Sequence, residues 1–574
     1  MSPAAAWRSA TNRPAGAARQ ASPAPIPSPT AAEAGPAGAP VSALGRAGLT
    51  RVRLPAAKAG LPGPRPPFAW PAVLVIAAAA FAVEMAVSAR YGYHRDELYF
   101  LQAGRHPAAG YVDQPPLTPL AAWAVSSLTG GSLAGLRALP ALVLAALTVT
   151  GAVISRALGG GRASQVLAAV ATATCGEYLA GMHLLTTTTL DFLFWALTLL
   201  LAVKLLSSGN PRWWLAIGGC VGIGASAKWT VAVLAAALLT GVAATPVARG
   251  LLRSRWLAAG CVLALVLGAP DVVWQAMHGW PNLDVFSALS RDSGHNRLVY
   301  WPAQILYTGF ALTPLWITGL AWCLREAAGR RLRPIGIAAA ITLVLFFALG
   351  GKPYYAGGVY TFLFAAGSVP AARWLAGDRG TRQGETPGRP AAPQQGRGAR
   401  LRRAGAAAAL AASAAVTVPV ALPVYPARVL RQLPLQKINY DLGETIGWPQ
   451  LVAAVARQYR ALPPAQRAAT TILAGNYGEA GALAWYGPAA GLPGVYSGAN
   501  NFWYWGPPPA GDRAAIAVNV DPALLRQLFT SVREVAVFRN GPGVADNEQG
   551  ARIYRVSGLR YSWAAAWPML RDFS

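Results

Sequence analysis

The stretch FAWPAVLVIAAAAFAVEMAVSARYGYHRDELYF, residues 68–100, decides the fold class. Its first part, residues 68–89, is an apolar run of about 22 residues; at 1.5 Å each it reaches roughly 33 Å, enough to cross the hydrocarbon core of a bilayer. Directly after it, Tyr91-Gly-Tyr-His-Arg-Asp-Glu-Leu-Tyr-Phe100 places two adjacent carboxylates, Asp96 and Glu97, near headgroup depth. A membrane enzyme keeps a base in such a position.

The rest of the chain agrees. Hydrophobic residues make up 54% and charged residues 12% of 574 residues, too apolar for a soluble chain of this length. Further apolar runs near residues 133–155, 164–182, 189–206, 213–229, 230–248, 256–275, 303–323, 334–350, 355–375 and 404–424 predict about eleven spans in all. The run at 117–129 is too short to cross and follows Pro115-Pro116, so it reads as an interfacial helix. The four cysteines lie within or beside apolar runs and behave as small hydrophobes.

The net charge of +27 comes from 49 Lys and Arg against 22 Asp and Glu, but the basic residues gather between apolar runs and in the tails. Membrane orientation explains this better than nucleic-acid binding. Residues 1–67, rich in Ala, Pro, Gly and Arg, read as a disordered basic cytoplasmic tail without a signal peptide, so the first span is a retained anchor. Starting inside, the basic connections at Arg156/Arg162, Arg249/Arg253/Arg255, Arg325/Arg330/Arg331/Arg333 and residues 377–403 all fall on the cytoplasmic side. The Asp96–Glu97 loop is then extracytoplasmic. Residues 68–376 form a transmembrane core, 404–424 the last span, and 430–574 a small extracytoplasmic α/β domain, with strand patterns at 470–474, 514–518, 534–538 and 551–556 and a helix at 448–462.

Polar chemistry collects on the outer side, where the five histidines also fall. A charged pair at a span end is ordinarily a solvated face, but three further constellations share its side. Tyr111-Val-Asp-Gln-Pro-Pro-Leu-Thr118 carries Asp113, which suits a cation or the support of a catalytic residue. His183-Leu-Leu-Thr-Thr-Thr-Thr-Leu-Asp191 opens a span: helix capping accounts for its threonines, while Asp191 and His183 are candidates for sugar or acceptor contact. Gly350-Gly-Lys-Pro-Tyr-Tyr355 offers Lys352 with Tyr354 and Tyr355; a snorkelling Lys with interfacial aromatics explains it equally well as a cation for a lipid-linked phosphate. Lys228 and Arg137 are candidates for the same positive pocket.

In this order the motifs resemble the type C membrane glycosyltransferases of the protein O-mannosyltransferase and aminoarabinose transferase superfamily, over residues 68–376. The resemblance implies transfer of a sugar from a polyprenyl-phosphate carrier outside the cytoplasm, with Asp96 as catalytic base and Glu97 beside it. Relatives often have an acidic-Lys-Pro-Pro motif; here it reads Asp113-Gln114-Pro115-Pro116, so the Lys is missing and Lys352 becomes the substitute for the phosphate. Gln114 then falls to the sugar or acceptor. Gly475-Asn-Tyr-Gly-Glu-Ala-Gly481 and Tyr496-Ser-Gly-Ala-Asn-Asn-Phe-Trp-Tyr-Trp-Gly506 resemble the outer domain of a bacterial branch, which adds Glu479, Asn500 and Asn501 as sugar contacts. A divalent cation (Mg, Mn or Zn) is expected at Asp113 with His295. The expected partners are a polyprenyl-phosphate sugar donor, membrane lipid and an acceptor glycan, lipid or protein, with no nucleic acid.

The expected fold is thus an α-helical polytopic membrane protein of about eleven spans with a small extracytoplasmic α/β domain. The expected reaction is inverting sugar transfer at the outer face of the cytoplasmic membrane. The alternatives are a protein O-mannosyltransferase proper and, in another class, a lipid or solute transporter or flippase. Carboxylates gathered at one membrane face rather than the midplane, and the lack of an inverted repeat, weigh against a transporter.

Overall fold

The computed structural model describes residues 66–377 and 395–573, all within one compact unit, residues 51–574. Residues 1–65 and 378–394, which carry most of the predicted tail and basic loop, lie outside the described residues.

Helices occupy every predicted span. They are α1 (Trp70–Val87), the two short helices α2 (Arg95–Arg105) and α3 (Leu117–Leu128), then α4 (Leu133–Ala157), α5 (Arg162–Thr174), α6 (Gly176–His183), α7 (Thr187–Ser208), α8 (Trp213–Ala225), α9 (Thr230–Ala244) and α10 (Arg255–Met277). After them come α11 (Asn282–Ser290), α12 (Ser293–Thr308), α13 (Thr313–Arg325), α14 (Arg333–Leu349), α15 (Tyr360–Ala376) and α16 (Gln395–Ala421).

Six helices among the described residues are individually long and apolar enough to cross a membrane: α1, α4, α7, α10, the segment Gly329–Leu349 containing α14, and α16. The others are shorter or broken. The run predicted at 303–323 is two helices, α12 and α13, bent by 105°. Gly309, at φ +94°, ends the first, and Pro314 opens the second in its first turn. The run at 164–182 is interrupted at Cys175, which is extended between α5 and α6. α16 starts at Gln395 rather than 404.

α4 and α7 are the central helices, 61% buried over their apolar windows, whereas α10 and α16, at 11% and 17%, lie at the rim. Without a hydrophobic force between helices in lipid, close packing relies on small residues. α8 and α10 meet at Gly218 and Gly260, where a Cβ on Gly218 would lie 2.0 Å from the Gly260 carbonyl oxygen.

The C-terminal domain is a five-stranded sheet of order β2-β1-β3-β5-β4, with β1 (Thr470–Ala474), β2 (Val495–Ser497), β3 (Ala514–Val518), β4 (Phe529–Val537) and β5 (Arg552–Leu559). β1 pairs in parallel with β2 and β3, while β5 runs antiparallel to β3 and β4. The patterns at 470–474 and 514–518 match β1 and β3. The three-residue β2 was not anticipated, being too short to show alternation. One hydrophobic cluster joins this domain to α2: Leu98, Tyr99 and Leu101 pack with Trp448, Ile472, Ala480 and Leu483. The domain is therefore seated directly on the helix that carries Asp96.

Candidate active site

His94 caps α2. The Asp96 amide donates to His94 Nδ1 at 3.2 Å, and the Glu97 carboxylate accepts from the His94 amide at 2.8 Å, completing a capping box. Acidic residues in a first helical turn also complement the helix dipole. Adjacent helical residues point about 100° apart, so Asp96 and Glu97 leave the helix towards different surroundings.

Glu97 is fully buried. Arg137 of α4, 1% exposed, holds it in a two-armed ion pair, Nε to Oε1 at 3.0 Å and Nη2 to Oε2 at 2.8 Å. The remaining Arg137 donors go to the carbonyls of Ser88 and Gly92, both at 2.7 Å, and His183 Nε2 lies 3.4 Å away. This corrects two expectations. Arg137 is committed to Glu97 and to the α1–α2 connection rather than to a donor phosphate, and His183 lies behind that ion pair, 3.3 Å from Glu84.

Asp96 keeps 32% of its side chain exposed. Its Oδ1 accepts a hydrogen bond from the Tyr477 hydroxyl at 3.0 Å. Its neighbour Asp113 accepts from the Tyr99 hydroxyl at 2.9 Å, and Tyr99 stands three residues after Asp96 on the same helix face. Burial pushes the Asp113 carboxyl up to about 7; the Tyr99 hydrogen bond works against this and the Asp96 charge adds to it. The loop around Asp113 is pinned from three sides. Gln275 of α10 donates to the Tyr111 carbonyl at 2.7 Å, Asn282 of α11 to the Val112 carbonyl at 3.1 Å, and the Val112 amide donates to Asn501 Oδ1 at 2.6 Å.

Two cations, Lys228 and Lys352, lie within electrostatic range of these carboxylates. Lys228, in the turn between α8 and α9, donates to Thr188 Oγ1 at 3.1 Å and lies 5.0 and 4.9 Å from the rings of Tyr354 and Tyr355. Desolvation lowers the Lys228 ammonium to about 8, and the charge of Lys352 acts in the same direction against the pull of Asp191, Asp96 and Glu177. Lys352 caps the 3₁₀ turn Pro353–Val359 that carries both tyrosines. The structure thus brings Asp96, Asp113, Lys228, Lys352, Tyr354 and Tyr355 into one electrostatic neighbourhood.

Other expected sugar contacts have structural partners instead. Asp191, 1% exposed, accepts from Trp195 Nε1 at 2.9 Å and Thr230 Oγ1 at 2.6 Å, tying α7 to α9. Glu479 is buried and closes the capping box of the helix Tyr477–Tyr486, accepting from the Gly475 and Asn476 amides at 3.1 and 3.2 Å. Asn500 is buried, with its amide donating to the Asp572 carbonyl at 3.0 Å, and Asn501 serves the Asp113 loop. Gln114 is 2% exposed, with both amide atoms of its side chain unpartnered. His295 is exposed on α12, and among the described residues no three His, Cys, Asp or Glu side chains gather as metal ligands. Asp113 and His295 therefore do not form a built metal site among the described residues.

Sequence reasoning missed Tyr99, Tyr477 and Asp441, whose Oδ1 lies 3.5 Å from His94 Nε2. Tyr99 was accessible through its i+3 spacing from Asp96; the other two join the site only through the tertiary fold.

A helical membrane core with carboxylates and lysines gathered beside an α/β domain has the fold of the type C membrane glycosyltransferases. Residues 113–274 match the family described as dolichyl-phosphate-mannose-protein mannosyltransferase. ArnT from Cupriavidus metallidurans, solved with bound undecaprenyl phosphate, is similar in structure at TM-score 0.50 and 16% identity, over 85% of this chain and 98% of its own. The Archaeoglobus fulgidus oligosaccharyltransferase aligns at TM-score 0.43 and 13% identity, over 73% of this chain and 63% of its own. The mycobacterial arabinofuranosyltransferase AftD aligns at 0.44 and 14%, over 85% and 40%. No curated protein matches in sequence.

Proposed function

We propose that this protein transfers a sugar from a polyprenyl-phosphate donor to an acceptor hydroxyl at the outer face of the cytoplasmic membrane, with Asp96 as general base. The observation that carries this reading is the division of labour between two adjacent carboxylates. Glu97 is sealed in an ion pair with Arg137, while Asp96 stays part exposed within electrostatic range of Lys228.

In the reaction, the acceptor oxygen attacks the anomeric carbon and its proton passes to the Asp96 carboxylate. The bond between that carbon and the phosphate oxygen breaks, and its electron pair leaves with the polyprenyl phosphate. Lys228 and Lys352 stabilise the charge that develops there. Direct attack from the face opposite the phosphate inverts the anomeric centre. The match of residues 113–274 to a mannosyltransferase family favours mannose and a protein hydroxyl as a second reading of donor and acceptor.

Asp96→Asn tests the proposal. The variant is expected to keep its melting profile in detergent and to lose transfer from polyprenyl-phosphate-linked sugars in proteoliposomes by at least ~100-fold, the low end for removing a general base. Near-normal turnover removes Asp96 from the mechanism, and net movement of sugar across the vesicle without transfer turns the assignment towards a transporter.

A further inference from the structure

The domain that roofs the site also reaches into it. β1 is flanked on both sides by parallel neighbours, and the chain leaves its carboxyl end through Gly475 into the helix Tyr477–Tyr486. Side chains just beyond the carboxyl ends of parallel strands are the ones such sheets present to ligands. Here the first residue of the helix, Tyr477, donates its hydroxyl to Asp96 Oδ1 at 3.0 Å, a contact between residues 381 positions apart.

The ring of Tyr477 is fixed as firmly as its hydroxyl. The Arg95 guanidinium lies 4.5 Å from its centroid, and Arg95 is itself held by Glu444 at 3.4 Å. The Tyr99 ring is 5.1 Å away on another side. The helix backbone approaches α2 closely because it presents glycines to it. A Cβ on Gly478 would lie 2.9 Å from Arg95 Cβ, and one on Gly481 would lie 3.1 Å from the Leu98 backbone. The capping box of Asn476 and Glu479 sets where the helix begins, and with it the position of Tyr477.

Resting on the reading of Asp96 as base, we infer that Tyr477 is a positioning residue for catalysis: its hydroxyl holds Oδ1 and turns Oδ2 towards the acceptor. The 4.0 Å from Oδ2 to His94 Nδ1 is too long for a hydrogen bond, so Oδ2 is left to receive the acceptor proton. A carboxylate with one oxygen tethered loses rotamer freedom before the substrate arrives, which is how a supporting residue preorganises a base.

The test uses the full-length protein in proteoliposomes and a double-mutant cycle. Tyr477→Phe keeps the ring contacts with Arg95 and Tyr99 and removes only the hydroxyl. It is expected to lower kcat about tenfold, with the KM for donor changed less than twofold. In the Asp96→Asn background, whose residual rate is the reference, the same change is expected to have less than a twofold effect, because Tyr477 acts through the carboxylate. Tyr459→Phe, which removes a hydroxyl bound to the Arg467 carbonyl within the same domain, serves as the control and should leave kcat unchanged.

A wild-type kcat in Tyr477→Phe overturns the inference. So does an equal loss in both backgrounds, which a merely structural residue would give. The two readings fail separately: an active Asp96→Asn variant sinks the base assignment, whereas an inactive Asp96→Asn with a silent Tyr477→Phe sinks only the positioning role.

Discussion

Removing Arg137 should damage the protein more than removing Arg137 and the Glu97 charge together. In Arg137→Met the carboxylate of Glu97 stays fully buried and loses contacts at 3.0 and 2.8 Å, keeping only the Leu185 and His94 amides at 3.1 and 2.8 Å. The Ser88 and Gly92 carbonyls also lose their donor. Breaking a buried pair from one side leaves an uncompensated charge, at a cost of about 3–5 kcal/mol. That is a large fraction of the roughly 5–15 kcal/mol that holds a typical domain folded. Glu97→Gln with Arg137→Met removes both charges and retains an amide oxygen for one of the two backbone donors, so most of the charge penalty disappears. Thermal unfolding in detergent, followed by tryptophan fluorescence and by the monodisperse fraction on gel filtration, measures Arg137→Met, Glu97→Gln and the double variant. The double variant should melt above Arg137→Met. If the double melts lower than both single variants, or Arg137→Met melts within error of wild type, the ion pair is not the isolated buried clamp described here.

Two further predictions concern charge and orientation. Because Lys228 titrates near 8, its cation is present below that pH and lost above it, so kcat/KM for the donor should fall as pH rises through about 8. Lys228→Met should lower kcat/KM at pH 7 by about tenfold or more, the worth of a charge-assisted hydrogen bond, and erase that alkaline limb; a limb unchanged in the variant would assign it to another group. For orientation, the exposed residues Ala510 and Arg397 serve as cysteine probes. In a background with the natural cysteines replaced, Ala510→Cys should be labelled from outside intact cells and Arg397→Cys only after permeabilisation, and the reverse pattern would place the C-terminal domain in the cytoplasm.

The membrane class, the helical segments and the carboxylates at span ends were legible because each rests on a local property: the length of an apolar run, or a carboxylate at its end. Two strands of the C-terminal domain were equally plain, since Thr470–Ala474 and Ala514–Val518 declare themselves by composition between turn residues. Breaks at Cys175 and at Gly309 were less visible, because a hydropathy run continues through a kink that the backbone does not.

What the tertiary structure alone decided is which polar residues pair with which. Asp96 and Glu97 are equivalent in a linear reading, yet a helix turns neighbours about 100° apart, and only the fold brings Arg137 to one and Tyr477 to the other. Arg137 reads as a free cation until its partners are seen; Asp191 and Glu479 read as sugar ligands until Trp195, Thr230 and the backbone amides of Gly475 and Asn476 occupy them. The physical reason is common to all of these cases. A buried polar group must find its hydrogen-bond partners from distant parts of the chain, and sequence spacing carries no record of which ones it finds.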